Sequence, residues 1–272
     1  MNIPYHDFGG TGEIIHLTHA NGFPPGTYQE MVKPLLKKYH VIGMEGRALW
    51  SGLHYSSISS WKDTSKDLIR FLDENSLFNI NVIGHSLGAV QILFAAQERP
   101  DLFNKVALIE PPLIPSTYLE LSKVLPIWIK KKIIPPAITS LKRRMSFQSQ
   151  KHCYDHFRSK KVFGMIPDKV LMDYVTHVTM KGDDNVLLRY PKEWEAHIFS
   201  TITDPWEAIR NMSKPSLAIR GKYSTVLDIR SWRKWQKHQK NTSFVELENG
   251  GHLIPLEDPV NVGKKVTEFF SL

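Results

Sequence analysis

The chain has 272 residues, 42% of them hydrophobic, enough for a sizeable buried core in one large domain or in a core with an insertion. A single cysteine, Cys153, excludes an internal disulfide and a cysteine-rich metal site, and a lone cysteine in a basic stretch reads as incidental rather than nucleophilic. The formal net charge of +8 brings nucleic acid and anionic membranes to mind, but residues 111–215 hold 17 Lys and Arg against 10 Asp and Glu while the rest of the chain is nearly balanced, so the basic character belongs to one central segment.

The start, Met1 to Gly10, lacks the basic-then-apolar pattern of a secretory signal, and no apolar run approaches the roughly 18 residues of a membrane span, so a cytoplasmic protein is expected. Glu13 to Leu17 reads as a strand running into Thr18 to Gly26, a loop too rich in Gly and Pro to be regular. Thr27 is a plausible N-cap for a helix through Met31, Val32, Leu35 and Leu36, which lie at helical spacing. Val41 to Met44 is a second strand. Ser60 stands where it could cap a helix holding Trp61, Leu68, Ile69, Phe71 and Leu72. A further strand and helix surround Ser86, and Val106 to Ile109 is a short apolar run ending at Glu110.

Residues 111 to about 212 break this rhythm with helix-like pieces, such as Tyr118 to Val124 and Asp168 to His177, separated by prolines. The βα pattern resumes at Ser216 to Arg220, followed by a helix from Asp228 through Trp235, a last strand at Phe244 to Leu247 and a closing helix from Pro259 to Phe270. Strands alternating with helices predict an α/β fold with a mostly parallel sheet and helices on both faces. Residues 1–110 and 213–272 are then the core, and 111–212 a mainly helical lid over the strand ends, where open α/β sheets bind ligands.

The most informative stretch is Asn79 to Gln91. Val82 and Ile83 run into Gly84-His85-Ser86-Leu87-Gly88 and then into the helix-like Ala89 to Ala96, which is strand, sharp turn, helix with a serine at the apex. A serine on so tight a turn leaves no room for side chains where strand and helix approach, so the positions two before and two after it must be small. The hydroxyl stands exposed beside the amide of Leu87 and the helix start, where a developing oxyanion would be stabilised.

With His19-Ala20-Asn21-Gly22-Phe23 after the first long strand and Asn249-Gly250-Gly251-His252 near the end, the chain resembles the α/β-hydrolase superfamily over nearly its whole length. The resemblance implies that Ser86 is the nucleophile, that His252 is its base and that the amides of Phe23 and Leu87 form the oxyanion hole. His85 is expected to pack and His19 to brace its loop. Most relatives carry an aspartate three or four residues beyond the glycine after the strand ending at Arg220, but those positions here are Ser224 and Thr225. The acid is expected to be Glu110, at the end of its strand where some members place it and long enough to span to the imidazole; the alternative is Asp228, which stands where a helix N-cap belongs.

A serine in place of an aspartate argues against dehalogenase and epoxide-hydrolase chemistry, which use a carboxylate nucleophile. The reading is a cofactor-independent serine hydrolase with no metal, cleaving a small-molecule acyl substrate. A carboxylic ester stands first, then a thioester, amide or C–C bond. The alternative from another class is a non-catalytic binding protein that keeps the pocket. Lys130 to Lys132 and Lys142 to Arg144 give two readings of the lid: attraction to an anionic or lipid-like substrate or a membrane surface, or, the favoured one, a solvated face whose apolar side packs on the core. No nucleic-acid module is visible.

Overall fold

The computed structural model describes residues 2–114 and 125–272, so the helix-like piece Tyr118 to Val124 lies outside the described residues. Seven strands form one sheet: β1 (Tyr5–Gly9), β2 (Glu13–Thr18), β3 (Tyr39–Met44), β4 (Ile80–His85), β5 (Phe103–Ile109) and, after the insertion, two more at Ser216–Gly221 and Thr242–Leu247. The order is β1, β3, β2, β4, β5, Ser216–Gly221, Thr242–Leu247, with β1 antiparallel to β3 and every other pair parallel. The sequence reading left β1 within an irregular leader. It is an edge strand in which only Phe8 is buried, and it carries little of the apolar signal that marks the central ones.

Side-chain alternation along the central strands separates two cores. Val82, Val106, Leu108 and Ala218 face one side, where they meet α1 (Trp61–Glu74) and α2 (Leu87–Glu98); Ile83, Ala107, Ile109, Leu217 and Ile219 face the other, against the closing helix Pro259–Phe270. Ser60 caps α1 in a full capping box with Asp63. The helix expected from Thr27 to Leu36 is instead a 3-10 turn at Pro25–Tyr28, one α-turn at Gln29–Val32 and another 3-10 turn at Leu35–Lys37. Pro34 lacks the amide that would continue it, and Thr27 makes no cap bond.

Between β5 and Ser216–Gly221 the described residues hold helices at Ile127–Ile133, Pro135–Leu141, Gln150–Arg158, Asp168–Val178, Lys192–Ser200 and Trp206–Arg210. Trp206, Ala208 and Ile209 pack into the core on the α1/α2 side. The insertion also contains a small antiparallel sheet of Ser146–Phe147, Thr179–Lys181 and Val186–Leu188, closed by a turn in which Gly182 N–H donates to Asn185 O at 2.9 Å. Strands of two or three residues are too short to show a period of two, which is why the sequence reading missed them. No helix among the described residues is long and apolar enough to cross a membrane.

Candidate active site

Ser86 stands at the carboxyl end of β4, one residue before α2. Its backbone has φ 53° and ψ −118°, a left-handed conformation that costs a β-carbon-bearing residue on the order of 1–3 kcal/mol. Two observations explain how the chain tolerates it. Ser86 N–H donates to Ile109 O at 2.9 Å, which ties the turn to the end of β5. A side chain on Gly84 would overlap the backbone of Ala89, and one on Gly88 the carbonyl of Thr18, so both positions admit only glycine. Helix α2 is thus pulled hard against β2 and β4, and the serine hydroxyl is left to project.

That hydroxyl lies 2.9 Å from His252 Nε2, and His252 Nδ1 lies 3.2 Å from Glu110 Oε2. Glu110 is fully buried, so its carboxylate needs partners. It accepts from Gly221 N–H at 2.8 Å and from the Ser224 hydroxyl at 2.5 Å besides facing the imidazole. The position where most relatives carry their acid therefore holds a serine that donates to the acid of the neighbouring strand. Asp228 is engaged elsewhere. Its Oδ1 accepts from Arg230 N–H at 2.7 Å and Ser231 N–H at 3.0 Å, which is the N-cap of the helix Ile229–His238. Burial works against the Asp228 charge, but the amides of Ser231 and Arg230 hold its carboxyl below the usual value.

The histidine loop is fixed from two sides. Glu257 Oε2 accepts from Gly251 N–H at 2.6 Å, and burial, with Glu110 nearby, raises the Glu257 carboxyl above its ordinary range. On the other side, His85 Nε2 lies 2.9 Å from His252 O, His85 Nδ1 lies 2.8 Å from the Tyr28 hydroxyl, and Tyr28 accepts from Ala20 N–H at 3.1 Å. Only one assignment of protons satisfies this series: Ala20 N–H to Tyr28, Tyr28 O–H to Nδ1, and Nε2–H to the carbonyl. It requires neutral His85, and burial, aided by the nearby His252, pushes the His85 imidazole down to about 3. His19 braces its loop as expected, with Nδ1 2.7 Å from Ala20 O and Nε2 accepting from Gly46 N–H at 2.8 Å.

The amide expected at Phe23 is committed elsewhere. It donates to Ala20 O at 3.1 Å and closes a turn, so it is not available to a ligand. Among the described residues, the amides of Asn21 and Leu87 have no acceptor, and both residues line the cavity into which Ser86 projects. The Asn21 side chain is held aside by Tyr190 O–H, which donates to Oδ1 at 2.7 Å, and by its own donation to Glu195 O at 3.1 Å. Which amide a Gly/Pro loop leaves open depends on its turn hydrogen bonds, and residue order alone does not carry that.

The cavity has a volume of about 430 Å³ and is walled mainly by apolar side chains, among them Trp61, Leu113, Ile198 and Ile202. Its roof belongs to the insertion. There Arg143 Nη2 donates to Glu195 Oε1 at 2.5 Å and Nη1 lies 2.5 Å from Oε2 without forming a second hydrogen bond, a buried ion pair set against the loop at Gly22. Burial raises the Glu195 carboxyl despite its partner. Cys153 lies in the core of the insertion, where burial pushes its thiol up to about 12, the opposite of an activated nucleophile.

A strand-to-helix serine, a late histidine and a strand-end glutamate on a mostly parallel sheet define a protein of the α/β-hydrolase type. The family model for the alpha/beta hydrolase fold matches residues 20–259, and the chain belongs to that family. It is 24% identical over 274 residues to YugF, an uncharacterized hydrolase of Bacillus subtilis (strain 168), spanning 99% of this chain and 94% of that protein. Two of the solved structures that share its fold illustrate the likeness. E-2-(acetamidomethylene)succinate hydrolase superposes with a TM-score of 0.81 at 17% identity, covering 98% of this chain and 94% of its own. The esterase Rv0045c from Mycobacterium tuberculosis does so with a TM-score of 0.76 at 18% identity, covering 100% and 88%.

Proposed function

We propose that this protein is a cofactor-independent serine hydrolase of small to medium acyl substrates, carboxylic esters first, with residues 111–212 as the cap over its site. The observation that carries the reading is the hydrogen-bonded series from Ser86 Oγ through His252 to buried Glu110, opening onto an apolar cavity. His252 Nε2 takes the hydroxyl proton as Ser86 Oγ bonds to the acyl carbon. Glu110 keeps Nδ1 protonated and stabilises the imidazolium that forms. The amides of Leu87 and Asn21 hold the oxyanion, with Leu87 at the positive end of α2. Collapse expels the alcohol with the proton from Nε2, and a water repeats the sequence to release the acid and restore Ser86.

A fluorophosphonate probe is expected to label the wild-type chain on Ser86 and to leave Ser86→Ala unlabelled. p-Nitrophenyl acetate should be turned over by the wild type and not by Ser86→Ala. An unlabelled wild-type chain, or equal labelling of the variant, would replace this reading with that of a non-catalytic binding protein.

A further inference from the structure

A second cavity, of about 570 Å³, lies within the insertion and meets the first at Pro136, Glu195 and Phe199. The two differ in charge. Among the described residues the inner cavity is bordered by Asp228, His252 and the Arg143-paired Glu195 and by no lysine or arginine, so no such cation there offers its charge to an anionic group. The outer cavity is lined by Lys142, Arg143, Arg144 and Lys160, with Glu195 as its one carboxylate among the described residues, and Glu195 is neutralised by Arg143. Among the described residues Lys142, Arg144 and Lys160 have no acidic partner. Arg144 is held in place by donation to Ser146 O at 2.8 Å and by stacking on Phe147. His156 lies in the same wall, and burial, with Lys160 and Arg144 nearby, lowers its imidazole below the ordinary value. Phe157, Phe163 and Phe199 give the space an apolar floor.

We infer that the outer cavity binds an anionic group, carboxylate or phosphate, carried on the alcohol side of the ester, several bonds from the carbonyl. This rests on the hydrolase reading above and names its substrate class. The alcohol side follows from exposure. Lys142, Arg144, Lys160 and Val162 of the outer cavity reach solvent, as do Pro136 and Thr139, whereas around the inner cavity only Pro136, Thr225 and Val226 among the described residues are exposed. The half of the substrate that leaves first therefore occupies the half of the site that opens outward, and the neutral acyl group stays on Ser86 in the apolar chamber until water releases it.

Three acetyl esters test this on the full chain at low ionic strength: hexyl acetate, 6-acetoxyhexanoate and 6-acetoxyhexyl phosphate. The charged esters are expected to exceed hexyl acetate in kcat/KM by about tenfold or more, mainly through KM, with the advantage shrinking as salt is added. In Lys142→Ala/Lys160→Ala the ratio of charged to neutral should fall to about one, and in Lys237→Ala/Lys240→Ala, which removes equal charge far from the cavity, it should persist. The better of the two charged esters identifies the group. Calorimetry with Ser86→Ala and the better of the two charged esters should show binding that the Lys142/Lys160 substitutions remove. Turnover of hexyl acetate without a charge preference, or a preference that survives in Lys142→Ala/Lys160→Ala, overturns the anion site and leaves the hydrolase reading standing. Absence of turnover of every ester, p-nitrophenyl acetate included, defeats the hydrolase reading, and absence of binding to Ser86→Ala defeats the anion site by itself.

Discussion

Ser224 and Glu110 show how a carboxylate can be moved from one strand end to the next without moving the histidine. The Ser224 hydroxyl stands 2.5 Å from the same Glu110 oxygen that faces His252. Glu110→Gln should lower kcat by about 10³ to 10⁴, since the amide no longer fixes the tautomer or balances the imidazolium. Asp228→Asn, which keeps a cap acceptor, should leave activity within about twofold and cost under about 1 kcal/mol in urea unfolding. The sharper experiment relocates the acid. Ser224→Asp alone should impair activity, because two buried carboxylates then share one site and one must take a proton. Ser224→Asp combined with Glu110→Gln should recover about tenfold or more over Glu110→Gln alone. If that pair of changes is no better than Glu110→Gln, the equivalence of the two strand ends is wrong. Ser86 and His252 are legible in the sequence because the turns that hold them demand particular local residues. Glu110 is the acid expected from the sequence, but that its carboxyl would meet both Ser224 and His252 follows from the register of β5 against Ser216–Gly221, which no local pattern encodes.

At the scale of elements, three loops meet over the end of β4, and the series from Ala20 through Tyr28 and His85 to the carbonyl of His252 joins two of them. The loop that presents Asn21 and the loop that presents His252 are thereby held in one geometry. Tyr28→Phe removes a single oxygen yet leaves Ala20 N–H and His85 Nδ1 without partners in a buried place, so stability should fall by about 1–3 kcal/mol. kcat should drop about tenfold with KM little changed, because the loss is of alignment and not of substrate contact. A change confined to KM would show that the series does not position the site. The long elements are readable on different grounds: α1 by its apolar spacing and capping box, the closing helix by its apolar spacing, and α2 by the continuous apolar run that follows the serine turn. The helix interrupted at Pro34 and the miniature sheet in the insertion are not readable. In the first a single missing amide overrides the spacing, and in the second the strands are stabilised by tertiary packing and not by their own pattern.

For the molecule as a whole, the unused histidines set the response to acid. His16 is fully buried, accepts from Met44 N–H at 3.1 Å, and is pushed by burial, with His19 nearby, down to about 3, as His85 is for its own reasons. In the unfolded chain both would titrate near the ordinary histidine value of about 6.5. The sign follows from proton binding. Below about pH 6.5 the unfolded state binds a proton at each site and the folded state binds none until about pH 3, so the stability these residues hold is complete above pH 6.5 and is lost as the pH falls. Each contributes a slope approaching 1.4 kcal/mol per pH unit in that window, and together they should remove about 4 kcal/mol between pH 6 and pH 4.5. That is a large part of the roughly 5–15 kcal/mol by which a folded domain survives. Urea unfolding at a series of pH values measures it directly. Because His85 also needs neutrality to donate from Nε2 and accept at Nδ1, protonation would break the loop-to-loop series at the same time as it destabilises the core. His85→Asn should therefore lower stability at pH 7 while reducing the slope between pH 6 and pH 4.5. An unchanged slope in that variant would assign the acid sensitivity to other groups.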